Sequence, residues 1–142
     1  IKNELSKILK AALLFVVEKL SIKLDPDKNI RLALMYIYSL DIPPCVCDIL
    51  QEKYLCVVNV FPDDALKLVS DCILLRVFNP YMVTNVKKNM KKNITLFSKI
   101  LQSISNGVYD SKYDKATTDI ITDFIPIHTK WIKLHIGLKN EI

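Results

Sequence analysis

Ile73-Leu74-Leu75-Arg76-Val77-Phe78-Asn79-Pro80 decides the fold. It closes a long apolar run, holds one of the chain's two arginines and reaches a proline. From Val69 through Cys72, Ile73, Leu74, Leu75 and Val77 the run is apolar almost all round. A helix of that kind lies at the centre of a fold, with neighbours on most sides. An arginine there is costly unless its charge is met, so Arg76 is either a strut or a positioning group. Its five donors in a rigid fork suit it to pinning several carbonyls at once. Pro80 is expected to end the helix.

Upstream of this run, Phe61-Pro62-Asp63-Asp64 reads as its start, with proline at the first position and carboxylates at the positive end. Pro43-Pro44 opens the preceding helix, expected to reach Val58 and to bury Val46, Ile49, Leu50 and Val57. At the beginning of the chain, Leu5, Ile8, Leu9, Ala12, Leu13, Val16, Val17 and Leu20 keep a helical rhythm. That helix ends before Asp25-Pro26. The next runs from about Lys28 to Leu40, capped by Asp27 or Asn29, with Ile30, Leu34, Ile37 and Tyr38 on its apolar face.

Downstream, Thr84 to Asn93 is polar and carries Lys87, Lys88, Lys91 and Lys92, so it reads as a loop and a solvated charge run. Asn93 to Asn106 is helical, with Ile94, Phe97, Ile100, Leu101 and Ile104 buried and Gly107 as a left-handed cap. Lys99, Gln102, Ser103 and Asn106 share the opposite face. After a polar connector from Tyr109 to Tyr113, Lys115 to Phe124 is helical. Pro126 interrupts it, and His128 to Leu138 forms a last piece with Ile127, Trp131, Leu134 and Leu138 in phase.

The 142 residues amount to one domain or a large piece of one. Half the composition is hydrophobic, enough for a core, and two glycines leave little material for tight hairpins. The expected class is all-α, with about six to seven helices. A net charge of +5 suits an acidic protein, an anionic membrane surface or nucleic acid without choosing among them. No run reaches membrane-spanning length. Cys45, Cys47, Cys56 and Cys72 read as reduced, buried thiols. Cys45-Val46-Cys47 is a weak metal signal without a second pair or nearby histidine, so neither metal nor cofactor is expected. His128 and His135 read as a surface or half-buried pair, and Asp119/Asp123 as poor acid–base candidates. Two isolated glycines cannot build a phosphate-cradling loop.

Leu74-Leu75-Arg76-Val77-Phe78-Asn79-Pro80 resembles the Phe-Leu-Arg-x-x-x-Pro-Ala signature of Ras GTPase-activating domains. Phe97-Ser98-Lys99-Ile100-Leu101-Gln102-Ser103-Ile104-Ser105-Asn106 is similar to a neurofibromin segment. Leu24-Asp25-Pro26-Asp27-Lys28, Ile42-Pro43-Pro44 and Phe61-Pro62 resemble earlier landmarks in the family's order, so the likeness covers about Leu5 to Lys133. Tyr81 stands where the family has alanine and Cys47 where arginine is common, which marks a divergent member.

The resemblance implies that residues 1–142 are the C-terminal portion of a helical Ras-GAP module. Its partner would be a Ras-family small GTPase in the GTP-bound state, in the cytoplasm and near membranes. A peripheral contact with anionic membrane is a further expectation, and nucleic acid is not expected as a partner. The family's catalytic arginine finger stabilises transition-state charge on the GTPase. Its motif lies upstream of the segment resembling Ile1 to Leu20, so no catalytic residue is assigned here. Arg76 matches the arginine that braces the finger loop, and Leu75, Lys99, Gln102 and Asn106 match GTPase-facing positions. The chain begins at Ile1 without methionine and is expected to be a piece of a longer protein. A GTPase-binding scaffold without catalysis, and a helical module whose basic segment meets nucleic acid or anionic lipid, are the alternatives.

Overall fold

The computed structural model describes residues 2–22, 25–108 and 110–138. The fold is all-α, and no strand occurs among the described residues. Helix α1 (Lys2–Ser21) buries Leu9, Ala12 and Val16, one stripe of the helical rhythm, and packs against α2. There the rings of Phe15 and Tyr36 stack with centroids 4.3 Å apart.

Helix α2 spans Pro26–Ile37, starting and ending earlier than expected. Its cap is Asp25, in place of Asp27 or Asn29: the Asp25 carboxylate accepts the Lys28 N–H at 3.2 Å. Proline fits the first helical turn, where no N–H is needed, so the cap falls one residue before Pro26. Asn29 is instead buried and donates to the carbonyl of Ile22 at 3.1 Å.

Helix α3 (Pro44–Val58) has the expected bounds. It fully buries only Leu50; Val46 and Val57 are half-buried and Ile49 is exposed. Its main packing partner is α4, so a single flank is covered.

Helix α4 begins at Ala65 and ends at Ile73, after a turn that holds Pro62. The chain then continues as a π-helical turn, Leu74–Phe78, and directly as α5, Asn79–Asn85. Pro80 therefore does not stop the helix. The Asn79 N–H reaches back five residues to the Leu74 carbonyl. This wide turn restarts the helical register, and Pro80 falls at the start of the new one, where its missing N–H costs least.

The expected Thr84–Asn93 loop is largely helical as well. After Val86 and Lys87 come a 3-10 turn (Lys88–Met90) and α6 (Lys91–Asn106). Val86 and Met90 are buried and anchor that connection, while the four lysines are exposed.

Helix α6 buries Ile94, Phe97, Ile100, Leu101 and Ile104, as its periodicity requires, and touches α1, α4, α5, α7 and the π turn. It shares the centre with the α4–π segment, whose Leu74 and Phe78 are fully buried. Each such side chain contributes about 1.5–3 kcal/mol of burial. Gly107 takes φ 71°, and the Val108 N–H bonds the Ser103 carbonyl at 3.2 Å, closing the helix.

Helix α7 is continuous from Lys115 to His135 and contains Pro126. Asp114 caps it by accepting the Thr117 N–H at 2.8 Å. Pro126 does not interrupt the helix, because it and Thr122, four residues earlier, are on the exposed side. The carbonyl that loses its donor there is left to water. Of the residues expected in phase, Trp131 is buried, while Ile127 and Leu134 are exposed. Tyr109, in the expected connector, lies outside the described residues.

Candidate functional site

The π turn, α5 and α6 enclose a groove of about 390 Å³. Leu75, Pro80 and Val83 form its aliphatic side; Asn79, Thr95, Ser98, Lys99 and Gln102 form the polar side. The wide turn matters locally, because it carries Leu75 onto the wall while leaving Leu74 and Phe78 in the core. The Asn79 amide donates to the Ser98 carbonyl at 3.1 Å and so ties α5 to α6. Lys99 and Gln102 are exposed at the rim. Thr95, Lys99 and Gln102 recur at helical spacing, and Lys91 and Lys92 sit one turn before them. That face of α6 runs from a basic end to the groove.

Leu75, Lys99 and Gln102, matched from far-separated segments of the sequence, thus meet in one place. Asn106 does not join them. It lines a separate pocket of about 180 Å³ with Ser70, Ser105 and His128. Arg76 is also outside the groove: its side chain is exposed and makes no hydrogen bond or ion pair among the described residues. Its charge is met by water, so the cost expected from its apolar run does not arise.

Asn79 and Ser98 are site residues that sequence reasoning passed over. Asn79 stood inside the decisive stretch and Ser98 inside the matched α6 segment. Neither spacing nor residue type marks a groove floor until α5 and α6 are brought together.

Elsewhere the polar groups serve the fold. His128 is buried, not at the surface, and its Nδ1 lies 3.0 Å from the Tyr38 hydroxyl. Burial pushes the imidazole down to about 4 and raises the Tyr38 phenol further above its usual value. Trp131 donates its indole N–H to the Leu40 carbonyl at 3.0 Å. Ser105 donates to Asp71 at 2.9 Å and lies 3.0 Å from the Ser70 hydroxyl. Asp123 pairs with Arg31 at 2.9 Å.

All four cysteines are free thiols, but none is fully buried, and Cys56 is exposed. Partial burial and the neighbouring Asp48 and Cys45 raise the Cys47 thiol. Among the described residues no group of three or more His, Cys, Asp or Glu side chains is placed to hold a metal ion. No described helix is long and apolar enough to cross a membrane.

No protein-family model, curated protein or solved structure matches this chain. The groove therefore has to be read from its own chemistry and from the sequence resemblance.

Proposed function

We propose that this chain is part of a Ras-GAP-like regulator and that the groove between the π turn, α5 and α6 receives a GTP-bound Ras-family small GTPase. The observation that carries the reading is the meeting of Leu75 with Lys99 and Gln102. These residues come from the two blocks with the most specific likeness to the family. The basic end of the α6 face supports an acidic partner, since a complementary rim speeds encounter and fixes orientation. On this reading the finger arginine lies outside the matched segments, and the exposed Arg76 guanidinium is free to brace it. The chain itself then supplies binding surface and no catalytic group.

The test is binding to a Ras-type GTPase loaded with GDP alone or with GDP and aluminium fluoride, with Lys99→Glu run beside the wild type. The expected result is preference for the fluoride state, weakened about tenfold by the charge reversal. The isolated chain should leave the hydrolysis rate unchanged. A folded chain that binds neither state removes the reading. Binding that ignores the nucleotide and falls steeply with salt would instead favour an anionic surface as partner.

The second reading is a GTPase-binding scaffold without catalysis. Arg76 favours it to the extent that its side chain braces nothing among the described residues. Binding to the GTPase without faster hydrolysis, in any protein that carries this chain, would decide for it.

A further inference from the structure

The corner where α1 ends and α2 and α6 begin holds a second open space, of about 330 Å³. It shares no lining residue with the groove. Leu20, Ile22, Ile30, Leu96 and Phe97 give it an apolar wall. Two amides in that wall are turned to the end of α1: Asn93 donates to the Leu20 carbonyl at 3.3 Å and Asn29 to the Ile22 carbonyl at 3.1 Å. The cation in the wall is Lys19, whose ammonium lies 5.2 Å from the centre of the Phe15 ring. Ile22 and Leu96 remain 44% and 45% exposed at the mouth. The α6 side of this hollow is positive. Between Asp71 and Asp110 the sequence has no acidic residue, but it has Arg76, Lys87, Lys88, Lys91, Lys92 and Lys99. Lys87, Lys88, Lys91 and Lys92 are all exposed, in and beside the 3-10 turn, and Lys92 stands one helical turn before Leu96. They do not serve the helix, because cations in a first turn oppose its dipole. Asp25 and Asp27 lie on the α2 side, where the Asp25 carboxylate is engaged as the cap.

We infer that this corner docks on a bilayer containing acidic phospholipid. Lys19, Lys92 and the neighbouring lysines meet the headgroup phosphates and carboxylates. Ile22 and Leu96 enter the interface, and the hollow receives the first part of an acyl chain. Its volume lies at the small end of ligand pockets, roughly 300–1,000 Å³. Charge alone would suit any polyanion, and the apolar mouth beside the lysines is what selects an amphiphile. A single-stranded nucleic acid would call for stacking aromatics in the basic segment, and between Lys87 and Lys92 there are none. A basic cluster and an apolar insertion are each weak as membrane attachments and become stable together. The inference does not depend on the GTPase reading, because the hollow and the groove take different residues of α6.

The test is co-sedimentation of the chain with vesicles of phosphatidylcholine alone and of phosphatidylcholine mixed with phosphatidylserine. Binding is expected to the mixed vesicles only. Lys19→Gln and Lys92→Gln should each weaken it roughly fivefold, the worth of one charge near the surface. Lys112→Gln, beyond the far end of α6, should leave it unchanged, because the attraction is screened over about 10 Å. Leu96→Ser should weaken it about threefold or more through lost apolar burial. If that variant melts earlier than wild type, Ile22→Ser takes its place. No binding to the mixed vesicles, equal binding to both kinds, or an equal loss in Lys112→Gln overturns the inference. So does wild-type binding in the folded serine variant, which would leave a contact of charge alone with no use for the hollow. Binding to a DNA duplex as tight as to the mixed vesicles would assign the lysines to nucleic acid instead. No arm contains the GTPase, so a failure here leaves the GTPase reading standing.

Discussion

The Tyr38 hydroxyl meets His128 Nδ1 at 3.0 Å and joins the end of α2 to the middle of α7 across ninety positions of sequence. His128 Nδ1 is the phenol's hydrogen-bond partner among the described residues. The contact joins a phenol, which can donate or accept, to a ring nitrogen whose role follows the imidazole tautomer. Protonating the ring would place a charge in a buried site, which burial disfavours.

The consequence is a pH-dependent stability with a defined sign. His128 sits at about 4 when folded and near 6.5 when unfolded. Its contribution is complete above pH 6.5 and is lost as pH falls toward 4, because the unfolded chain takes up the proton first. The loss should be on the order of 3 kcal/mol. Urea unfolding of wild type and His128→Gln at pH 7.5 and pH 4 checks it. The difference in stability between the two should shrink by about that amount at the lower pH. An unchanged difference would mean that the imidazole is not held neutral.

Pro126 is tolerated in α7 and does not contribute to its stability. Replacing it with alanine restores a donor for the Thr122 carbonyl and removes the ring's crowding. The gain is offset in part by the extra freedom of the unfolded chain. Pro126→Ala should stabilise the fold by about 1–2 kcal/mol. A raised midpoint with unchanged denaturant dependence is the expected readout.

The two arginines should behave alike in stability despite their different settings. Arg31 forms its ion pair with Asp123 at the surface, with side chains 37% and 56% exposed. Such a pair is worth about 0–1 kcal/mol. Arg76 has no partner among the described residues, so Arg76→Ala should change stability by less than about 0.5 kcal/mol. A loss of several kcal/mol in Arg76→Ala would restore the structural role that its apolar run suggested.

Gly107 is held at φ 71° to end α6. A Cβ added there meets nothing within 4 Å, so Gly107→Ala isolates the cost of the left-handed backbone. The expected loss is about 1 kcal/mol, smaller for Gly107→Asn. Thermal melts of the two variants would test the order.

Much of the fold was legible because helical periodicity is a local signal. The α6 stripe and its glycine cap, and the bounds of α3, follow from residues a few positions apart. The errors cluster at prolines. Pro26, Pro80 and Pro126 each look locally like a stop or an outside position, yet Pro26 opens a helix, Pro80 restarts one after a π turn, and Pro126 rides inside one. Whether a proline breaks a helix depends on whether its orphaned carbonyl faces water and whether an inserted residue can relieve the ring, and neither is local. Burial along α3 failed for a related reason: an apolar residue such as Ile49 is buried only if another helix arrives to cover it.

The sequence by itself determined the all-α class, the apolar stripes that form the core and the two segments with the most specific family likeness. Those depend on spacing along a single helix. Only the tertiary structure decided that Leu75, Lys99 and Gln102 share a groove while Asn106 and Arg76 stand apart from it. It also decided that the Asn79 amide ties α5 to α6 through the Ser98 carbonyl, and that His128 is buried against Tyr38. These facts depend on how helices distant in sequence cross and rotate against one another, which is set by the packing of whole faces and not by any one segment's pattern.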